Sequence, residues 1–194
     1  MNIVLLGPQG SGKGTQAKRL AETYGLAHIA TGDMIRQMKE LDTPAGLELR
    51  EVYDRGDLVS DDLMIRLIRN RLSRGDTVGG FVLDGFPRTM PQAEALDALL
   101  RELGRELDVV FDLQVPDRGV LHQRLLGRAA EEGRSDDTPE GIERRLELYD
   151  RETAPLVDYY RSHQANVVGI HADRTIDEVF HEIEQSLSSV EARA

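Results

Sequence analysis

The chain has 194 residues, 40% hydrophobic and 30% charged, with 35 acidic residues against 24 basic ones and no cysteine. This length and apolar share suit one globular domain, and the absence of cysteine excludes a disulfide framework and any Cys-based zinc site. A net charge of −11 repels nucleic acid and excludes it as a general partner.

In chain order, the apolar run "NIVLL" (2–6) predicts a buried strand, followed by the glycine-rich stretch "GPQGSGKGT" (7–15) and a helix over 13–24. A weaker strand is expected at 27–31 and a helix at 32–41. Residues 31–60 hold helical patterns but no strand, punctuated by Pro44, Gly46 and Gly56, and are expected to form a helical insert. Ser60 stands as a helix cap before "DDLMIRLI", which opens a helix over 61–74. A strand at 80–85, a helix at 89–103, a strand at 109–115 and a helix at 117–127 follow. The polar stretch "GRAAEEGRSDDT" (127–138), bracketed by Arg128 and Arg134, is expected to be a mobile loop and a candidate lid. Thr138-Pro139 then caps a helical stretch over 139–162, with a break expected near Ala154 because Pro155 cannot continue the ladder. The last strand is predicted at 166–171 and the last helix at 175–190, with the terminal "SSVEARA" frayed. Strands alternating with helices imply an α/β fold, a parallel sheet covered on both faces. No run is long enough for a transmembrane helix. "MNIVLLG" lacks the basic region of a signal peptide, so a cytoplasmic location is expected.

The stretch at 7–15 nearly fits the phosphate-binding pattern G-x-x-x-x-G-K-[ST]: Gly7, Gly12 and Lys13 are in place, but Gly14 stands where a metal-ligating hydroxyl is usual and Thr15 comes one residue late. Its position between a strand and a helix supports the phosphate reading: turned backbone N–H groups and the helix dipole hold an anion, and Lys13 adds a cation. In "FVLDGFPR" (81–88), Asp84 ends a strand at the carboxyl edge of the sheet, where it can hold the water shell of Mg²⁺. A turn or helix cap is the competing reading. Gly85 allows close approach of a ligand, and Pro87 stiffens the path to Arg88. The chain is repulsive to nucleotides overall, so its cations must converge locally. Nearly all of them are arginine, the better group for bidentate phosphate contacts.

Together, "GPQGSGKGTQ", "TGDMIR", "GDLVSD", "LDGFPRTMPQAEAL" and "GRSDD…ERRLELY" resemble the adenylate kinases of the nucleoside monophosphate kinase family, over nearly the whole chain and in order. The resemblance implies a P-loop NTPase-type core of five parallel strands with helices on both faces (1–30, 61–127, 139–194), a monophosphate-binding insert (31–60) and a short lid (128–138). It implies reversible transfer of a phosphoryl group from ATP to AMP, giving two ADP. Gly10, Ser11, Gly12, Lys13, Gly14 and Thr15 would cradle the ATP phosphates, with Arg124 and Arg128 facing ATP and the backbone of Arg174 bordering its adenine. Thr31, Arg36, the backbone of Asp57, Leu58, Val59, Gly85, Phe86, Pro87, Arg88 and Gln92 would form the AMP side, Gln92 reading the adenine edge through its amide. Arg134 and Arg145 would close on the phosphates, with Asp136 and Asp137 organising the lid. The catalytic set is then Lys13, Asp84, Arg88, Arg124, Arg134 and Arg145. Mg²⁺ would be held by phosphates and waters oriented by Asp84, with no direct protein ligand, and the short cysteine-free lid excludes zinc. Of the adjacent Arg144 and Arg145, only one can face a given site, and the resemblance selects Arg145. Many members carry proline where Gln9 stands; here it is Pro8.

An acceptor phosphate is already anionic near neutral pH, so no general base is needed. His28, His122, His163, His171 and His181 lie outside the motifs and read as structural or surface groups. A UMP/CMP kinase shares the fold and the short lid, but Thr31 and Gln92 favour AMP. A nucleotide switch would need a guanine-reading Asn-Lys-x-Asp motif, which is absent. Lys13, Asp84 and Arg88 argue against a catalytically idle relative. The family is monomeric by expectation, with no membrane partner.

Overall fold

The computed structural model describes residues 1–132, 138–163 and 165–191. Along the chain run β1 (Asn2–Leu6), α1 (Lys13–Tyr24), β2 (Ala27–Ala30), α2 (Thr31–Lys39), α3 (Pro44–Asp54), α4 (Asp61–Leu72), β3 (Phe81–Asp84) and α5 (Met90–Glu102). They are followed by β4 (Val109–Gln114), α6 (Arg118–Glu132), α7 (Pro139–Leu148), α8 (Leu156–Ser162), β5 (Val167–His171) and α9 (Ile176–Glu191). The strands form one parallel sheet in the order β2-β3-β1-β4-β5. β1 runs through its middle, Ile3 paired with Val82 of β3 on one side and Val109 of β4 on the other.

Side chains alternate across a strand, and here both faces are apolar. Ile3, Leu5 and Phe111 pack with Leu20 of α1 and Ile183 of α9. Val4, Leu6 and Val110 point the other way, against Ile68 of α4, Leu96 of α5 and Tyr160 of α8. Burial on two faces explains why β1 and β4 read as continuous hydrophobic runs rather than alternating ones. Each such Leu or Ile withdrawn from water contributes about 1.5–3 kcal/mol. The helix after β1 lies on one face and the helix after β3 on the other. A crevice therefore opens outside the carboxyl ends of these neighbouring strands, where Gly7 and Asp84 sit.

Five local expectations are corrected. α6 continues through Glu132, so the expected loop at 127–138 begins as helix; Arg128, Ala129 and Ala130 are strong helix formers, and polarity alone does not separate a loop from a solvated helix. The break expected near Ala154 spreads upstream: α7 ends at Leu148 and residues Tyr149–Thr153 form a π turn, with the Ala154 N–H donating five residues back to the Tyr149 carbonyl at 2.8 Å. Proline crowds the carbonyl four residues before it, and widening the ladder relieves that clash. Ser60 occupies the cap position of α4 but its side chain makes no capping bond. The helix expected from residue 32 opens one residue earlier, at Thr31, and Ala30 takes the cap position. The C-terminal stretch stays helical through Glu191, with Ser188 and Ser189 bonded to carbonyls one turn back; 192–194 lie outside the described residues. Thr138 caps α7 as expected, accepting from the Gly141 N–H at 3.1 Å. No helix among the described residues is long and apolar enough to cross a membrane.

Candidate functional site

The crevice is a cleft of about 1170 Å³, walled by the glycine-rich loop, the 31–60 insert, the end of β3 and the inner faces of α6 and α7. Because α1 starts at Lys13, the backbone N–H groups of residues 13–15 have no carbonyl one turn earlier and lie at the positive end of the helix. Gly10 and Gly12 make the loop possible with φ of 82° and 91°, values that disfavour any side chain. Lys13 Nζ donates to the carbonyls of Gly7 (2.6 Å) and Pro8 (2.7 Å). Burial lowers its pKa to about 8, against the pull of Asp84 and helped by Arg88 and Arg128.

Asp84 stands at the floor of the cleft. A Cβ on Gly14 would lie 3.3 Å from its Oδ2, so the glycine in the usual hydroxyl position leaves room beside this carboxylate. Thr31 Oγ1 donates to the Asp84 carbonyl at 3.1 Å, tying the first residue of the insert to the end of β3. Gly85, at φ 81°, passes so close to Thr31 that a Cβ would meet its Oγ1 at 2.7 Å.

Arg88 is held three times. Its Nε donates to the Gly85 carbonyl (2.8 Å), its backbone N–H to Gln92 Oε1 (2.8 Å), and its carbonyl accepts from Thr153 Oγ1 (2.8 Å). Burial pushes the Arg88 guanidinium below the usual arginine value, Asp84 and Tyr53 oppose this, and Arg145 and Arg36 reinforce it. Across the insert, Arg36 Nη1 donates to Tyr53 Oη at 2.7 Å, and Nη2 bonds Asp33. Burial disfavours its charge, but Tyr53 and Asp33 outweigh that and raise its pKa. Arg145 is 8% exposed and donates to the Gly141 carbonyl, whereas its neighbour Arg144 is about half exposed and turns to Asp57. Several cations thus converge on one cleft of an acidic chain, which favours an anionic ligand.

Most of the sequence-predicted residues line this cleft, from Gly10 through Thr15 on one side to Arg36, Asp57, Leu58, Val59, Pro87 and Gln92 on the other. Phe86 does not; it is 1% exposed and packed in the core with α4 and α5. The Asp57 side chain accepts from Arg144 (2.8 Å) and Arg55 (3.2 Å). Arg124 Nη1 donates to the Ala172 carbonyl at 2.8 Å, and the Arg174 side chain turns outward to Glu182. Arg134, Asp136 and Asp137 lie outside the described residues. His28, which lies outside the motifs, lines the cleft with Nε2 4.0 Å from Asp84 Oδ2. Tyr53, Asp61 and Thr153 were also missed from sequence. The "TMPQ" spacing of a capping box was the one available signal near Gln92, although its oxygen bonds Arg88 rather than Thr89.

The family model described as Adenylate kinase matches residues 5–165. An adenylate kinase of Xanthomonas campestris pv. campestris (strain 8004) is 46% identical over 189 residues, covering 96% of this chain and 99% of its own length. One of Xanthomonas oryzae pv. oryzae (strain MAFF 311018) is 44% identical over 187 residues, with the same coverage. One of Xylella fastidiosa (strain 9a5c) is 50% identical over 161 residues, 83% of this chain and 86% of its own. With a cleft built for anions at the end of a five-stranded parallel sheet and similarity of this extent, the chain belongs to the adenylate kinase family.

Proposed function

We propose that the protein catalyses reversible phosphoryl transfer from Mg-ATP to AMP, giving two ADP. The observation that carries this reading is the facing of two cationic sets across one cleft: Lys13 and the first turn of α1 on one side, Arg36, Arg88 and Arg145 on the other. One set suits a triphosphate and the other a monophosphate. In the forward reaction an anionic oxygen of the AMP phosphate bonds to the γ-phosphorus while the bond from that phosphorus to the β–γ bridging oxygen breaks, and ADP leaves. No side chain has to remove a proton. The residues position the two anions in line and neutralise charge on the transferred group.

In this reading the loop N–H groups, Lys13 and Thr15 cradle the ATP phosphates, Arg124 and Arg128 face them, and the backbone near Arg174 borders the adenine. Arg36 and Arg88 grip the AMP phosphate, and Thr31, Leu58, Val59 and Gln92 surround its base. Arg145, with Arg134 assigned from the sequence motif, neutralises the phosphoryl group in flight.

The donor set around Asp84 fits magnesium held through water. Among the described residues no group of three or more His, Cys, Asp or Glu gathers that could hold a metal ion, and a single carboxylate such as Asp84 suits an ion that would be held mainly through phosphate and water. Bound with ATP, magnesium would neutralise the β- and γ-phosphate charge. The net charge of −11 disfavours polyanionic partners such as nucleic acid, and the protein is taken to be a cytoplasmic monomer. A coupled assay of ATP with AMP, UMP, CMP and GMP tests the assignment. AMP should be used well above the others, and equal or better use of UMP or CMP overturns it.

A further inference from the structure

Gln92 lies in the cleft wall, 1% exposed, with both ends of its amide engaged. Nε2 donates to Asp61 Oδ1 at 2.7 Å, and Oε1 accepts from the Arg88 backbone N–H at 2.8 Å. Thr89, in the cap position of α5, makes no capping bond and donates its hydroxyl to the same Asp61 oxygen at 2.8 Å. A carboxylate only accepts and a backbone N–H only donates. Turning the amide over would set oxygen against oxygen at Asp61 and N–H against N–H at Arg88, with two buried bonds lost. The amide therefore has one orientation, and what it can still offer a ligand is one Nε2 proton and one Oε1 lone pair, in a fixed order.

We propose that Asp61 is a specificity-determining positioning residue, which by locking the Gln92 amide makes the monophosphate site accept adenine and reject 6-oxopurines. The inference rests on the reading above that Gln92 faces the base. Adenine presents a ring-nitrogen acceptor beside the N6 amino donor, which a fixed donor–acceptor pair matches. A 6-oxopurine presents the N1–H donor beside the O6 acceptor, the reverse order. An unlocked amide rotates half a turn and reads either; a locked one is left with unpaired polar groups against the oxo base, the situation that yields strong discrimination.

The test is the ratio of kcat/KM for AMP to that for IMP, with ATP as donor, in wild type and Asp61→Asn. The asparagine amide can accept from or donate to Gln92, so the oxygen-against-oxygen penalty of the turned amide is removed and only the Arg88 N–H still favours the native orientation. The ratio is expected to fall about tenfold, mainly through KM, and the affinities for AMP and IMP measured by calorimetry should converge likewise. Thr89→Val, which removes the other donor to Asp61 but not the lock, should leave the ratio within twofold. A role in folding alone would lower both substrates equally, so an unchanged ratio in Asp61→Asn overturns the inference while AMP kinase activity stands. A wild type that does not phosphorylate AMP overturns the functional reading and the inference with it. Should Asp61→Asn fail to fold, NMR of the wild type without nucleotide decides: one exchange-protected Gln92 Nε2 proton supports the lock, and rapid exchange of both overturns it.

Discussion

The loop half of the cleft and the insert half are built by different means. On the loop side the groups of residues 7–15 facing the cleft are mostly backbone N–H, fixed by a short contiguous segment, and the cation of that segment, Lys13, is anchored to carbonyls five and six residues away. On the insert side the work falls to side chains, each held by a distant partner: Arg36 by Tyr53, Gln92 by Asp61, and the Arg88 carbonyl by Thr153, 65 residues on. The first half is preorganised by local conformation. The second depends on how α2, α3, α4, α5 and the π turn pack together, so residues that touch no ligand can loosen it.

The largest expected break of this contrast is at Arg88. Arg88→Ala removes one donor from a preorganised site and should lower turnover by roughly 10²–10³-fold; turnover within twofold of wild type would remove Arg88 from the site. Lys13 comes next, and pH is the probe. Its pKa is lowered by burial from 10.5 to about 8, so the native protein loses this proton as pH rises through about 8, before the unfolded chain does. The kcat/KM for ATP, which reports the free enzyme, should fall about tenfold per pH unit above that point. The stability contribution of the same group should move the opposite way, rising between about 8 and 10.5, where the unfolded chain binds more protons. Opposed slopes separate titration from alkaline unfolding, and a kcat/KM profile flat to about pH 10 contradicts the shift.

The same division governs what the sequence discloses. Residues 7–15 and 81–88 are legible because a turn with fixed glycine spacing after a buried strand carries its own geometry. The parallel sheet is legible because doubly buried strands are continuous apolar runs. Asp61 is not, since "SDDL" is already explained by a helix start, and Thr153 sits in an unremarked helical stretch. Their partners are 31 and 65 residues away, and no local pattern encodes such separations. Pro155 signals a break but not its direction, because the clash it causes acts on the preceding turn. Arg144 and Arg145 are equivalent by local pattern, and only packing tells them apart.

Thr153→Val sharpens the contrast at lower amplitude. It removes the hydroxyl bonded to the Arg88 carbonyl, a loss of about 1 kcal/mol, and should lower kcat/KM for AMP about fivefold while leaving KM for ATP unchanged. A drop shared equally by both substrates would mean that the π turn supports the whole fold rather than the insert half.

The smallest effect belongs to Arg144, and it tests whether the insert is held by its contact with α7 or by the site itself. Arg144 Nε donates to Asp57 Oδ1 at 2.8 Å, and this bond, with that from Arg55, holds the Asp57 carboxyl below its usual range. The arginine is about half exposed, and pairs of that kind contribute about 0.2–1 kcal/mol. Arg144→Ala should therefore lower Tm by no more than about 2–4 °C and leave turnover within about twofold, and salt near 1 M should erase the Tm difference by screening. Arg145→Ala, one residue on but facing the cleft, should lower turnover by at least about 10²-fold. If the two variants were equally impaired in turnover, the cleft-facing guanidinium would not be what α7 contributes, and the bridge from Asp57 to Arg144 would have to carry closure of the insert instead.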